Sequence, residues 1–79
     1  MIRYFVYGTM ECPYCEKARE LLESENAECI FFELSENDLQ ETKQFYQSKT
    51  IPIILENNKD SGLTKMIGGC SDLEKYLEH

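Results

Sequence analysis

Arg3-Tyr4-Phe5-Val6-Tyr7-Gly8-Thr9-Met10-Glu11-Cys12-Pro13-Tyr14-Cys15 carries the chain from a strand, through a short turn, into a helix. Residues 3–7 are aromatic and β-branched and stop at a glycine, the pattern of a buried strand. Pro13 suits the first helical position, where its missing N–H costs nothing. Beyond it Cys15, Ala18 and Leu22, with Leu21 beside them, recur at helical spacing through about Ser24. The opposite face carries Glu16, Lys17, Glu20 and Glu23 and reads as a solvated surface.

Residues 29–34 form a second strand, with Ile30, Phe32 and Leu34 on one face and Cys29, Phe31 and Glu33 on the other. Their run length suits a buried sheet element. Residues 35–37 offer caps for a second helix running to about Ser48, with Leu39, Thr42, Phe45 and Tyr46 directed inward. Such a crossover joins parallel strands with right-handed sense, so the first two strands are expected side by side. Thr50-Ile51-Pro52-Ile53-Ile54-Leu55 reads as a third strand with proline near its start. Residues 56–62 form a polar loop, and residues 63–67, with Thr64 and Met66 on one face, complete an antiparallel hairpin. After Gly68-Gly69, Ser71 or Asp72 caps a short last helix whose apolar positions are Leu73, Tyr76 and Leu77. The expected class is α/β: a four-stranded mixed sheet with three helices in the order β-α-β-α-β-β-α.

The 79 residues, 42% of them hydrophobic, make room for one domain, assigned to residues 1–76. Leu77-Glu78-His79 resembles the first residues of a cloned histidine tag and is set apart. A chain this short buries only about 60% of the surface it exposes when unfolded, so small domains often need staples, which four cysteines could supply. The net charge of −7, from 15 acidic and 8 basic residues, excludes nucleic acid, because the cations are scattered singly rather than gathered in a patch. Residues 1–7 lack the long apolar core and small-residue cleavage site of a signal peptide. No run approaches the ~18 apolar residues of a membrane span. The expected location is therefore cytoplasmic, where reduced cysteines bind metals or do chemistry more often than they staple.

Cys12-Pro13-Tyr14-Cys15 beside a β-α-β pattern is a thioredoxin-like redox signature. The nucleophile in such chemistry is a thiolate, and the first cysteine sits where unpaired N–H groups and the positive helix end stabilise negative charge. The ordinary thiol pKa of ~8.5 is expected to fall at Cys12. Cys15, one turn on and shielded against the core, keeps a higher value and can attack a mixed disulfide on Cys12. A structural zinc needs four ligands, and the sole histidine is His79. A disulfide across two residues closes too small a loop to stabilise much. No metal is expected, although a paired-chain iron–sulfur site using Cys12 from two copies is an alternative.

With these motifs in place, the sequence resembles the glutaredoxins, in particular the small dithiol class with a Cys-Pro-Tyr-Cys centre. Thr50-Ile51-Pro52 resembles the Thr-Val-Pro segment of that family, and Gly68-Gly69-Cys70-Ser71-Asp72 its Gly-Gly-Cys-x-Asp segment. The resemblance implies a thioredoxin fold, a cis Pro52 and a groove for glutathione, the co-substrate. It places the glutathione cysteine against the backbone of Ile51. The γ-glutamyl end would meet the N–H groups of Cys70 and Ser71 and the carboxylate of Asp72, with Gly68 and Gly69 allowing close approach. The glycine carboxylate would meet Lys49, beside Thr50, and Tyr14 would form a wall.

The implied activity is reduction of protein–glutathione mixed disulfides and protein disulfides by Cys12 and Cys15, in a monomer. Its partners are glutathione and glutathionylated or disulfide-containing proteins, with no membrane or nucleic acid. The alternatives are a glutaredoxin-like electron donor to ribonucleotide reductase and an iron–sulfur cluster carrier. One departure stands out: where the family has a basic residue before the first cysteine, this chain has Thr9-Met10-Glu11. Glu11 is expected to oppose ionisation of Cys12 slightly and to repel an anionic ligand. Cys29 reads as a small buried hydrophobe, Met66 and the phenylalanines as packing, and the Cys70 thiol as a candidate oxidation-sensitive accessory.

Overall fold

The computed structural model describes residues 1–78. The elements run β1 (Ile2–Gly8), α1 (Pro13–Ser24), β2 (Glu28–Glu33), α2 (Glu36–Phe45), β3 (Ile53–Asn58), β4 (Thr64–Gly68) and α3 (Cys70–Leu77). They build one four-stranded sheet in the order β2-β1-β3-β4. β1 pairs parallel with β2, Phe5 opposite Ile30, and antiparallel with β3, Phe5 opposite Leu55. This is the expected mixed sheet with three helices.

α1 and α3 cover one sheet face and enclose the core. Ala18 and Leu22 of α1, Cys70 and Leu73 of α3, Tyr4 and Val6 of β1 and Ile54 of β3 are buried together. Full burial of an aliphatic side chain such as Leu22 or Leu73 contributes about 1.5–3 kcal/mol. α1 ends where Asn26 takes a left-handed φ of 56°, a conformation asparagine tolerates at a helix end. Leu77, the last residue of α3, packs against the core. His79 lies outside the described residues.

Several boundaries differ from those expected. β2 is an edge strand with no fully buried residue, so Cys29 and Phe31 are only half-buried. α2 is capped by Ser35, whose Oγ accepts the Asp38 N–H at 3.3 Å, but it ends at Phe45 rather than Ser48. None of its side chains is fully buried, and Phe45 is 78% exposed, not inward. The chain turns there because Gln47 adopts a φ of 54°.

The third strand starts at Ile53, after the proline, and continues through Asn58, where a loop was expected. Asn57 is held in the sheet as a buried polar residue: Arg3 Nε donates to its Oδ1 at 2.8 Å and its Nδ2 donates to Thr64 Oγ1 at 3.0 Å. The turn itself is compact, with the Asp60 and Ser61 N–H groups donating to Asn58 Oδ1. β4 begins at Thr64 and leaves Leu63 exposed. Ile54 pairs with Gly68 but Leu55 with Met66, a bulge that leaves Ile67 unopposed and re-aims the strand end toward α3. Finally, Gly69, not Ser71 or Asp72, is the N-cap of α3.

Candidate active site

The thiol pair takes its geometry from the start of α1. Cys12 is the N-cap; its N–H donates to the Thr9 carbonyl at 3.4 Å, and the Glu16 N–H donates to the Cys12 carbonyl at 3.1 Å. The open N–H groups of the first turn therefore lie beside Cys12. Cys12 is half-buried, Cys15 is fully buried beneath it, and all four cysteines are free thiols. Burial pushes the Cys15 thiol up to about 12; the Thr9 backbone pulls the other way, and the neighbouring Cys12 thiol adds to the rise.

Room for that buried thiol comes from Gly8 at the end of β1. A Cβ on residue 8 would collide with Cys15 Sγ and stand 3.3 Å from Cys15 Cβ. Strand, turn and helix thus converge on one sulfur.

Beside the pair lies a cavity of about 700 Å³. Tyr14, Lys49, Thr50, Ile51, Pro52, Gly69, Cys70, Ser71 and Asp72, the residues expected to form a groove, all line it. Cys12 is not among its lining residues. On one wall the Ile51–Pro52 peptide is cis, and the Ser48 hydroxyl donates to the Thr50 carbonyl at 2.8 Å. The backbone of Ile51 makes no backbone hydrogen bond among the described residues.

The other wall is the start of α3. Asp72 Oδ2 accepts the Gly69 N–H at 2.9 Å, so one carboxylate oxygen is committed to the helix cap. Gly68 has a φ of +122°, and a Cβ on it would lie 2.9 Å from the Asp72 carboxyl carbon. The close approach is therefore at Gly68; a Cβ on Gly69 would make only ordinary contacts, 3.8 Å from the Pro52 carbonyl oxygen. Cys70 is buried, and burial, then Glu74, pushes its thiol up.

Five lining residues were not expected: Lys17, Glu74, Met66, Gln47 and Ser48. By charge pattern alone Lys17 reads as part of a solvated face. The signal available was its spacing, three residues beyond Tyr14 and so on the same side of α1. Glu74 likewise follows Cys70 by one turn. Lys17 Nζ and Glu74 Oε1 are 2.8 Å apart. Met66 is 41% exposed at the cavity rim rather than packed inside.

Cys29 lies elsewhere, in a separate cleft with Arg19, whose guanidinium sits 4.6 Å from the centre of the Phe31 ring. Burial raises the Cys29 thiol and Arg19 partly offsets this. Among the described residues, no three His, Cys, Asp or Glu side chains gather as a metal site, and no helix is long and apolar enough to cross a membrane.

Comparison with known proteins gives one consistent match. The family model described as Glutaredoxin matches residues 4–60. Glutaredoxin 1 of Rickettsia prowazekii is 34% identical, over 94% of this chain and 85% of the relative, and that of Rickettsia conorii is 35% identical, over 89% and 70%. Among solved structures, the dithiolic glutaredoxin of Trypanosoma brucei brucei is 32% identical with a TM-score of 0.68, covering 92% of this chain and 74% of that one. A buckwheat glutaredoxin–glutathione complex, 23% identical, shares the fold at a TM-score of 0.71 over 95% of this chain and 68% of its own.

Proposed function

The chain belongs to the glutaredoxin family of thiol–disulfide oxidoreductases, and from that premise we propose that glutathione is its electron donor and protein–glutathione mixed disulfides its principal substrates. Cys12 is the nucleophile. Its sulfur attacks the glutathione sulfur of the mixed disulfide; the S–S bond to the protein breaks, and that protein leaves as a thiolate that takes up a proton. Glutathione is then held on Cys12 by a new S–S bond. A second glutathione thiolate attacks the glutathione sulfur, releasing oxidised glutathione and the reduced enzyme.

With a protein disulfide, Cys12 first forms a mixed disulfide with the substrate. Cys15 then loses its proton and attacks Cys12 Sγ. The substrate leaves as a dithiol, and the enzyme is left with a Cys12–Cys15 disulfide, which two glutathione molecules reduce. Burial keeps Cys15 protonated until it is needed, which favours Cys12 as the attacking group.

The observation that carries the reading is the cavity beside the thiol pair, where two separate wall segments, residues 49–52 and 69–72, meet. In this reading the Ile51 backbone pairs with the glutathione cysteine, and Lys49 meets the glycine carboxylate. The Cys70 and Ser71 N–H groups hold the γ-glutamyl carboxylate, and the free oxygen of Asp72 its ammonium. A buckwheat relative of the same fold is known as a glutathione complex, which supports the choice of ligand. The protein acts as a cytoplasmic monomer.

The test is a mixed-disulfide reduction assay coupled to glutathione and glutathione reductase. Cys12→Ser is expected to abolish turnover. Cys15→Ser is expected to keep reduction of the glutathione mixed disulfide and lose reduction of protein disulfides. Full activity in Cys12→Ser would overturn the assignment.

A further inference from the structure

Lys17 and Glu74 face each other across the mouth of the cavity, one from α1 and one from α3, 2.8 Å apart, with side chains 55% and 40% exposed. An ion pair in that setting contributes about 0–1 kcal/mol to stability. α1 and α3 are already joined by Ala18, Leu22, Cys70 and Leu73 in the core, so the pair is not what holds the helices together. What it does control is charge at the rim. Among the described residues, Lys17 and Lys49 are the two cations lining the cavity, on opposite walls. Lys49 makes no ion pair among the described residues, whereas Lys17 is engaged by Glu74. The Lys17 ammonium is held in its charged form by that carboxylate, and its 2.8 Å contact with Glu74 of α3 puts it at the α3 end of the groove.

We propose that Lys17 is a second carboxylate-binding residue of the groove, kept latched by Glu74 until a ligand carboxylate displaces it. The inference rests on the glutathione reading given above and deepens it. A ligand with two carboxylates finds a free cation, Lys49, at one end. At the other end it finds the open N–H groups of the first turn of α3 together with Lys17. Exposure makes the latch cheap to open. The device also selects for ligands anionic at both ends, since a ligand lacking the carboxylate at the α3 end leaves the Lys17–Glu74 pair closed.

Opposite responses of the two partners test the latch, because breaking a merely structural ion pair has the same consequence from either side. The probe is S-methylglutathione, which cannot enter thiol exchange, titrated calorimetrically into the reduced protein. Lys17→Gln is expected to weaken binding about tenfold, the loss of one charge-assisted contact. Glu74→Gln is expected to tighten it about threefold, the release of one exposed competitor. The double variant is expected to match Lys17→Gln, with circular dichroism confirming the fold of each. Unchanged binding in Lys17→Gln, or no tightening in Glu74→Gln, overturns the latch while leaving the glutathione reading intact. No binding by the unsubstituted protein overturns both.

Discussion

The Cys15 sulfur occupies the space that any side chain on residue 8 would need, so the end of β1 and the first turn of α1 can pack only with glycine at that position. The constraint makes a strand residue, four positions before the Cys-x-x-Cys sequence, part of what seats the buried Cys15 thiol.

Gly8→Ala is accordingly expected to destabilise the fold by about 1–3 kcal/mol, the usual cost of overpacking a filled core. Most of that cost is expected to vanish when Cys15 is also replaced by alanine, which removes the sulfur the new methyl would strike. Urea unfolding of the two single variants and the double variant measures the coupling. A cost that persists in the Cys15→Ala background would place the strain elsewhere.

Asp72 is asked to do two things, and substitutions separate them. Asp72→Ala removes the acceptor of the Gly69 N–H and is expected to cost about 1 kcal/mol, as lost caps do. Asp72→Asn keeps a capping oxygen and so most of the stability, but loses the charge offered to a γ-glutamyl ammonium. Its KM for a glutathionylated substrate is expected to rise with little change in the urea midpoint. Equal unfolding midpoints for the alanine variant and the parent would refute the cap.

Alkaline pH tests the two groups pushed highest. Burial raises the Cys15 thiol from 9.0 to about 12. Burial first, then the Glu56 carboxylate, raises the Tyr4 phenol from 10.0 to about 12. The neutral forms are thus favoured by folding, so between the unfolded and folded values the unfolded chain binds fewer protons and stability falls as pH rises. Urea midpoints at a series of pH values are expected to show this contribution intact below about pH 9 and lost progressively toward pH 12. Tyr4→Phe is expected to make the decline shallower.

Apolar character alone is a poor guide to importance here, and two substitutions show it. Phe45→Ala, at a position 78% exposed, is expected to change stability by less than about 0.5 kcal/mol. Leu22→Ala, at a fully buried one, is expected to cost about 2–5 kcal/mol. Thermal or urea unfolding distinguishes them directly.

The parts of the fold legible in the sequence are those with strong local signals. Pro13 after Cys12 marks a helix start, and Cys15, Ala18 and Leu22 mark its buried side because one stripe of α1 meets the core. Thr50-Ile51-Pro52 and Gly68-Gly69-Cys70-Ser71-Asp72 mark two walls of one cavity only through the family pattern; nothing in their periodicity says that they meet. Boundaries failed where tertiary contacts overrule composition. Asn57 reads as loop, yet hydrogen bonds from Arg3 and to Thr64 satisfy it inside a strand. Phe45 reads as core, yet the helix that carries it stops there. Lys17 and Glu74 lie far apart in sequence, and each taken alone is one more charge on a solvated helix.

α2 buries no side chain completely, and the segment that follows it supplies residues 47–52 to the cavity. One wall of the groove therefore follows the least anchored helix, while the opposite wall begins a helix rooted in the core through Cys70 and Leu73. In hydrogen exchange, the amides of α2 would open locally at low free energy, well before those of α1 and α3, which wait for the whole molecule to unfold. A ligand bridging the two walls would slow exchange chiefly on the α2 side, so the entropy lost on binding is concentrated in one helix and its tail.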